Sequence, residues 1–230
     1  MKVIVLITIV ALLSCGVKQE KTSTLSSDND SICNHSRFYG EIEICLPEID
    51  GMTETYSHEK VKRRTDQFSY DNNTILGLYL NIEDMAKLDD FDNAALDDYF
   101  KVYALKKLEG IEIGKSEFEL IQKGSEENFV KINWEEMKDE ILDGTSGLSL
   151  DKPVQIESYK LNENIFTIVY LFKLTYGTEE RISAATMNIV LLKNTLVYYA
   201  YYKNYSGPKT LDHVRAKNDL FGYKILELNK

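Results

Sequence analysis

The stretch from Pro153 to Ser206 constrains the fold more than any other part of the chain. It reads VQIESYKL, NENIFTIVYLFKLTYG, ATMNIVLLK and TLVYYAYYKNYSG, four hydrophobic runs joined by short polar turns. In the second run Phe166, Ile168, Tyr170, Phe172 and Leu174 share one face, and Ile165, Thr167, Val169 and Leu171 share the other. The fourth run sets Leu196, Tyr198, Ala200 and Tyr202 against Val197, Tyr199, Tyr201 and Tyr205. A sheet with one wet face alternates apolar with polar residues, whereas these strands are apolar on both faces and must be covered on both. Turns as short as Lys193-Asn194-Thr195 make neighbouring strands antiparallel. The fold class is therefore α+β, an antiparallel β-sheet with helices packed on both faces.

The rest of the chain supplies elements of that kind. Phe38 to Pro47 alternates, with Ile42, Ile44 and Leu46 on one side and Glu41 and Glu43 on the other, as a half-buried strand does. Ile49 to Asp66 reads as an irregular polar loop whose cations Lys60, Lys62, Arg63 and Arg64 are solvated. Gln67–Tyr70 and Thr74–Asn81 read as a hairpin across Asp71-Asn72-Asn73. Asn93 to Gly110 has acids near its start, lysines near its end and a broad apolar stripe, which predicts a helix lying flat on a sheet. Alternation at Glu117–Gln122 and Phe129–Ile132 predicts two short strands. Asn133 and Glu136 frame a second helix with Trp134, Met137 and Ile141 on one side. A last helix follows Gly207-Pro208, capped by Thr210, with Leu211, Val214 and Phe221 in its buried stripe and Gly222 as its stop.

The N-terminus carries a different message. Lys2 precedes an apolar run from Val3 to Leu13, interrupted only by Thr8. That is too short for a membrane-spanning helix of about 20 residues and suits a signal peptide. The run ends in Leu12-Leu13-Ser14-Cys15-Gly16, which resembles the lipobox of bacterial lipoproteins. The resemblance implies that residues 1–14 are removed and that the Cys15 thiol carries the acyl chains that hold the protein on a bilayer. Gly16 in place of an aspartate implies the outer membrane, on its periplasmic or its surface side. Residues 15–37 are polar and read as a lipidated flexible tether. Phe38 to Lys230 reads as a single α+β domain, long enough to bury a core.

The formal net charge is -10, so no electrostatic footprint for nucleic acid is present. With Cys15 used for the anchor, Cys33 and Cys45 are left as either a disulfide or two unpaired thiols.

Glu43-Ile44-Cys45-Leu46-Pro47, the segment Tyr99–Leu108, the strands Phe166–Tyr176 and Ala185–Lys193, and the closing helix from Leu211 together resemble the PsbP-like α/β sandwich. That family includes an extrinsic photosystem II subunit, Ran-GTPase-binding relatives and many bacterial lipoproteins. Residues 112–147 depart from the pattern as an insertion. The resemblance implies a binding or assembly role and carries no catalytic set.

The chemistry-bearing residues agree in kind. His35, His58 and His213 lie far apart, with no ligand spacing for a metal and no cofactor motif beside them. The acidic stretch Glu83–Asp98 lacks the central glycine of a calcium loop and reads as solvent-facing. The function expected is a non-catalytic interaction or assembly module of the cell envelope. Its partners are the bilayer through the acyl anchor, and an envelope protein or small ligand. The alternative is a lipoprotein that binds a glycan or small ligand on exposed Tyr199, Tyr201 and Tyr205, since tyrosine offers a stacking ring with a wet tip. A weaker alternative is a hydrolase with converging carboxylates.

Overall fold

The computed structural model describes residues 33–88, 96–129 and 148–230. Its centre is an antiparallel eight-stranded sheet. The four runs from Pro153 to Ser206 are strands β7 (Val154–Asn162), β8 (Ile165–Tyr176), β9 (Glu179–Leu192) and β10 (Thr195–Asn204). They pair in sequence order, and the turn between β9 and β10 places Lys193 and Asn194 at positive φ, as a two-residue hairpin turn requires. On the far side of β10 lie β5 (Asp98–Leu105), β4 (Asn73–Asn81) and the short β3 (Met52–Glu54). The three-residue β6 (Leu148–Leu150) shares β8 with β7. A separate hairpin, β1 (His35–Tyr39) and β2 (Ile42–Leu46), turns at Gly40.

Among the described residues four α-helices accompany the strands: α1 (Glu59–Gln67), α2 (Ile82–Met85), α3 (Lys115–Phe129) and α4 (Pro208–Leu228). This is a mixed α/β fold on an antiparallel sheet. Alternate residues of one strand serve different clusters. Val197, Tyr199 and Tyr201 of β10 pack with Val214, Phe221 and Ile225 of α4 and with the β1–β2 hairpin. Leu196 of β10 packs with Phe118 of α3, Phe166 and Ile168, and Tyr198 lies against that group. Val61 of α1 packs on Ile75, Leu78 and Leu80 of β4.

Several expectations need correction. The helix read over Asn93–Gly110 is, where described, strand β5 followed by a short 3-10 turn, Lys106–Leu108. Asp98, Phe100, Val102 and Ala104 are buried while Tyr99, Lys101, Tyr103 and Leu105 are half-buried, a period of two. A strand covered on both faces looks like a helix with a wide stripe, and the β-forming residues Tyr, Phe and Val decide between them. The strand read at Glu117–Gln122 is instead part of α3. Phe118, Ile121 and Gln122 turn inward at helical spacing, while Leu120, which suggested alternation, is exposed. The loop read over Ile49–Asp66 contains β3 and most of α1, so the basic cluster lies on a helix. Gln67 ends α1 and does not pair with β4, whose partners are β3 and β5. The tether expected to reach Arg37 gives way earlier, because β1 begins at His35. Residues 130–147, with the helix expected at Asn133–Ile141, lie outside the described residues.

The closing helix is longer than its sequence signals suggested. Gly207, at positive φ, precedes Pro208, and the Thr210 hydroxyl accepts from the Ser206 amide instead of capping the helix. Gly222 sits in mid-helix, where it lets α4 approach the sheet. A Cβ there would lie 2.6 Å from the Tyr199 Oη and 2.8 Å from Leu161 Cδ2.

A closed polar network fixes that approach. The Asn188 amide donates to Asn218 Oδ1 (2.7 Å) and to the Tyr199 carbonyl (3.1 Å). Thr186 Oγ1 donates to Asn218 Oδ1 (2.6 Å), Thr167 Oγ1 to Asn188 Oδ1 (2.7 Å), and the Tyr199 hydroxyl to the Asn218 carbonyl (3.2 Å). Thr167, Thr186, Asn188 and Asn218 are all fully buried, so each bond replaces water that the site excludes. At the end of α4, Asn229 works in the same way on β2: its side chain accepts from the Cys45 amide and donates to the Cys45 carbonyl. Cys45 also forms a disulfide with Cys33, with Cα atoms 5.5 Å apart.

Candidate functional site

The polar chemistry of the described residues gathers where β4 and β10 end and β5 begins. The antiparallel order β4-β5-β10 puts these three strand ends side by side, and α4 passes beside them. Between them opens a cleft of about 480 Å³. One side is formed by Asn81, Ile82 and Glu83 from the end of β4 and the start of α2, with Asp97 at the entry to β5. The other side is formed by Lys203 and Asn204 of β10 and Lys217 of α4.

Asp98 is the hub. The register of the sheet pairs it with Lys203, whose Nζ donates to Oδ2 at 2.6 Å, while the Tyr201 hydroxyl donates to Oδ1 at 2.7 Å. Lys217 Nζ lies 3.5 Å from Oδ1 and over the Tyr201 ring, 5.5 Å from its centroid. Burial alone would push the Asp98 carboxyl up; the hydrogen bonds from Lys203 and Tyr201 and the charge of Lys217 more than reverse this and hold it below its ordinary range. The Tyr201 hydroxyl is driven well upward by burial and by the Asp98 charge, so it remains a donor.

A second carboxylate completes the acidic side. Asp84 is fully buried; it accepts the amides of Asp97 (3.1 Å) and Asp98 (3.3 Å) and pairs with Lys87 at 2.7 Å. Asn81 caps α2 by accepting the Asp84 amide. Arg181 pairs with Asp97 and donates to Asn204 Oδ1 at 3.1 Å. The acidic stretch expected to face solvent therefore has two buried members, Asp84 and Asp98, each held by cations and donors. Sequence reading missed the cleft because Asp97 and Asp98 were placed at a helix start. An acid at the entry of one strand and a lysine at the exit of its antiparallel neighbour was the signal available.

The tyrosines fall elsewhere. Tyr199 and Tyr201 are fully buried against α4, and Tyr205 is half-buried against the same cluster. The alternative of an exposed ligand surface at Tyr199, Tyr201 and Tyr205 is corrected accordingly: alternation turns the odd-numbered rings of β10 into the core. The even-numbered rings are half-buried, with Tyr202 stacked on Tyr99 at 4.7 Å and Tyr198 on Tyr103 at 5.3 Å. Cys15 lies outside the described residues. His213 is on α4 near Tyr201, far in sequence from His35 on β1 and His58 before α1. Among the described residues no group of three His, Cys, Asp or Glu side chains is placed to hold a metal ion, and no helix is long and apolar enough to cross a membrane.

No protein-family model and no curated protein sequence matches the chain. Among solved structures, it is similar to the Saccharomyces cerevisiae Ran-binding protein Mog1p, with 12% identity over 85% of this chain and 92% of that one, at a TM-score of 0.30. It is also similar to a single-residue variant of Mog1, with 11% identity over 85% of this chain and 93% of that one, at a TM-score of 0.33. At these TM-scores the likeness carries no argument about family or function.

Proposed function

We propose that the protein is a lipoprotein of the bacterial cell envelope, held on the outer membrane by acyl chains on Cys15. Its folded part is a non-catalytic interaction module, an α/β/α sandwich of PsbP-like build. The observation that carries this reading is the coincidence of Leu12-Leu13-Ser14-Cys15-Gly16 with the end of the apolar run that begins at Val3. The Cys33–Cys45 bridge supports it, since such bonds persist in oxidising compartments outside the cytosol. The net charge of -10 supports it too: an acidic protein gains little from anionic lipid and relies on its acyl chains. Helices from different parts of the chain feed separate clusters through alternate strand residues, which supports the sandwich arrangement.

The cleft chemistry favours binding over catalysis. Asp98 accepts from Tyr201 and Lys203, and Asp84 accepts from two amides and Lys87, so both buried carboxylates serve as fixed acceptors for the protein itself. A hydrolase needs a carboxylate poised on open space beside a partner of different acidity. The second reading, a small-ligand lipoprotein, moves from the tyrosines of β10 to this cleft.

Growth of expressing bacteria in radiolabelled palmitate tests the anchor. The wild-type chain becomes labelled and fractionates with membranes, and the Cys15→Ala variant does neither. Equal labelling of the two contradicts the proposal.

A further inference from the structure

The charges of the cleft are sorted by strand. On the β4 and β5 side stand Glu83 and Asp97, the latter already paired with Lys87 and Arg181; on the β10 and α4 side stand Lys203 and Lys217. Glu83 is exposed and has no ion pair among the described residues. Lys217 is in the opposite situation: its side chain is 17% exposed, yet its one carboxylate neighbour among the described residues is Asp98 at 3.5 Å, an acceptor already taken by Lys203 and Tyr201. An ammonium has three donors, so Lys217 keeps capacity for an anion that reaches into the cleft. A ligand carrying only negative charge would meet Glu83 and Asp97, and one carrying only positive charge would meet Lys203 and Lys217.

Length narrows the choice. β4 and β10 are separated by β5, two strand spacings or about 10 Å. The charges of a free amino acid stand too close together to use both sides. An extended dipeptide spans about 7 Å between its termini, and the side chains of the cleft cover the remainder. Ile82, 77% exposed at the rim, offers an apolar contact for a side chain of such a ligand.

We infer that the cleft binds a short zwitterionic peptide, with its carboxylate on Lys217 and Lys203 and its ammonium on Glu83. The inference deepens the binding reading and is independent of the anchor, which palmitate labelling tests without any ligand. The experiment is a titration of the full-length chain in detergent with glycyl-leucine, followed through the backbone amide shifts of Asn81, Asp97 and Asn204. N-acetyl-glycyl-leucine, which lacks the ammonium, and glycyl-leucinamide, which lacks the carboxylate, are titrated in parallel. The dipeptide gives saturable shifts at these amides, and each capped form binds about five-fold more weakly or worse, as loss of one exposed charge pair requires. Lys217→Gln and Glu83→Gln weaken the dipeptide by a similar factor, and Lys193→Gln, at the opposite end of β10, leaves it unchanged. The absence of saturable shifts up to about 10 mM dipeptide, or equal binding of either capped form, overturns the inference.

Discussion

The two faces of β10 are made from the same residue type and behave as different materials. Tyr199 and Tyr201 lie under α4, fully buried, and each hydroxyl donates to a fixed acceptor: the Asn218 carbonyl and Asp98 Oδ1. Tyr198 and Tyr202, one residue along, are half-buried and stack on the cross-strand rings of Tyr103 and Tyr99. The same half-buried side carries Lys101, which donates to Ser69 Oγ at 2.7 Å. Under α4, polar atoms are withdrawn from water only where a partner replaces it. On the other side, ring stacks on ring, burial pushes the Tyr99, Tyr103, Tyr198 and Tyr202 hydroxyls upward, and Lys101 gives up hydration for a single neutral acceptor. A tyrosine cluster is thus no evidence of a binding surface until its alternation is known.

The comparison breaks most readily at Asn218. Asn218→Ala leaves Asn188 and Thr186 buried without their main partner, and a loss of about 3 kcal/mol is expected in chemical denaturation. A loss below about 0.5 kcal/mol contradicts the network's role. Gly222→Ala comes next. Its new methyl would meet Leu161 and the Tyr199 hydroxyl, which is held on the Asn218 carbonyl, so unfolding should become easier by about 2 kcal/mol. An unchanged denaturation midpoint would show that α4 can lift away from the sheet at small cost.

Lys101 gives the smallest effect and the opposite sign. Burial pulls its ammonium down from 10.5 to about 8, opposed in part by the Asp66 charge. The folded state therefore releases the proton earlier than the unfolded one. Stability rises with pH between about 8 and 10.5, and below about 8 the cost of the buried charge is fully present. Lys101→Met should remove that slope and stabilise the protein at pH 7 by on the order of 1 kcal/mol, the gain from removing a buried charge being reduced by residual solvent contact and the lost Ser69 bond. Parallel stability-versus-pH curves for the two proteins would show that Lys101 is better solvated than its surroundings imply.

The sheet was readable in the sequence because Pro153 to Ser206 repeats one message over four strands with short turns between them. β5 was misread for a physical reason: both faces of residues 98–105 are mainly apolar, with Asp98 on one and Lys101 on the other, and such a doubly covered strand has no clean alternation to detect. α3 was misread because exposed Leu120 imitates a strand pattern that Phe118 and Gln122 contradict only once the fold is seen. The cleft was hidden for a third reason. Its members, from Asn81 to Lys217, are far apart in sequence, and the pairing of β5 with β10 brings Asp98 to Lys203. The buried amides Asn188 and Asn218 gave no signal, since asparagine in a strand or helix is ordinarily a surface residue.

Binding at the strand ends and stability under α4 should separate in one paired titration. Glycyl-leucine affinity is measured for Lys217→Gln and for Tyr199→Phe under identical conditions. The prediction is that Lys217→Gln loses about five-fold in affinity, as removal of one charge pair requires, while Tyr199→Phe, although less stable, binds as the wild type does. The reverse pattern, with affinity lost on removing the buried Tyr199 hydroxyl and kept without Lys217, would contradict the assignment of binding to the cleft.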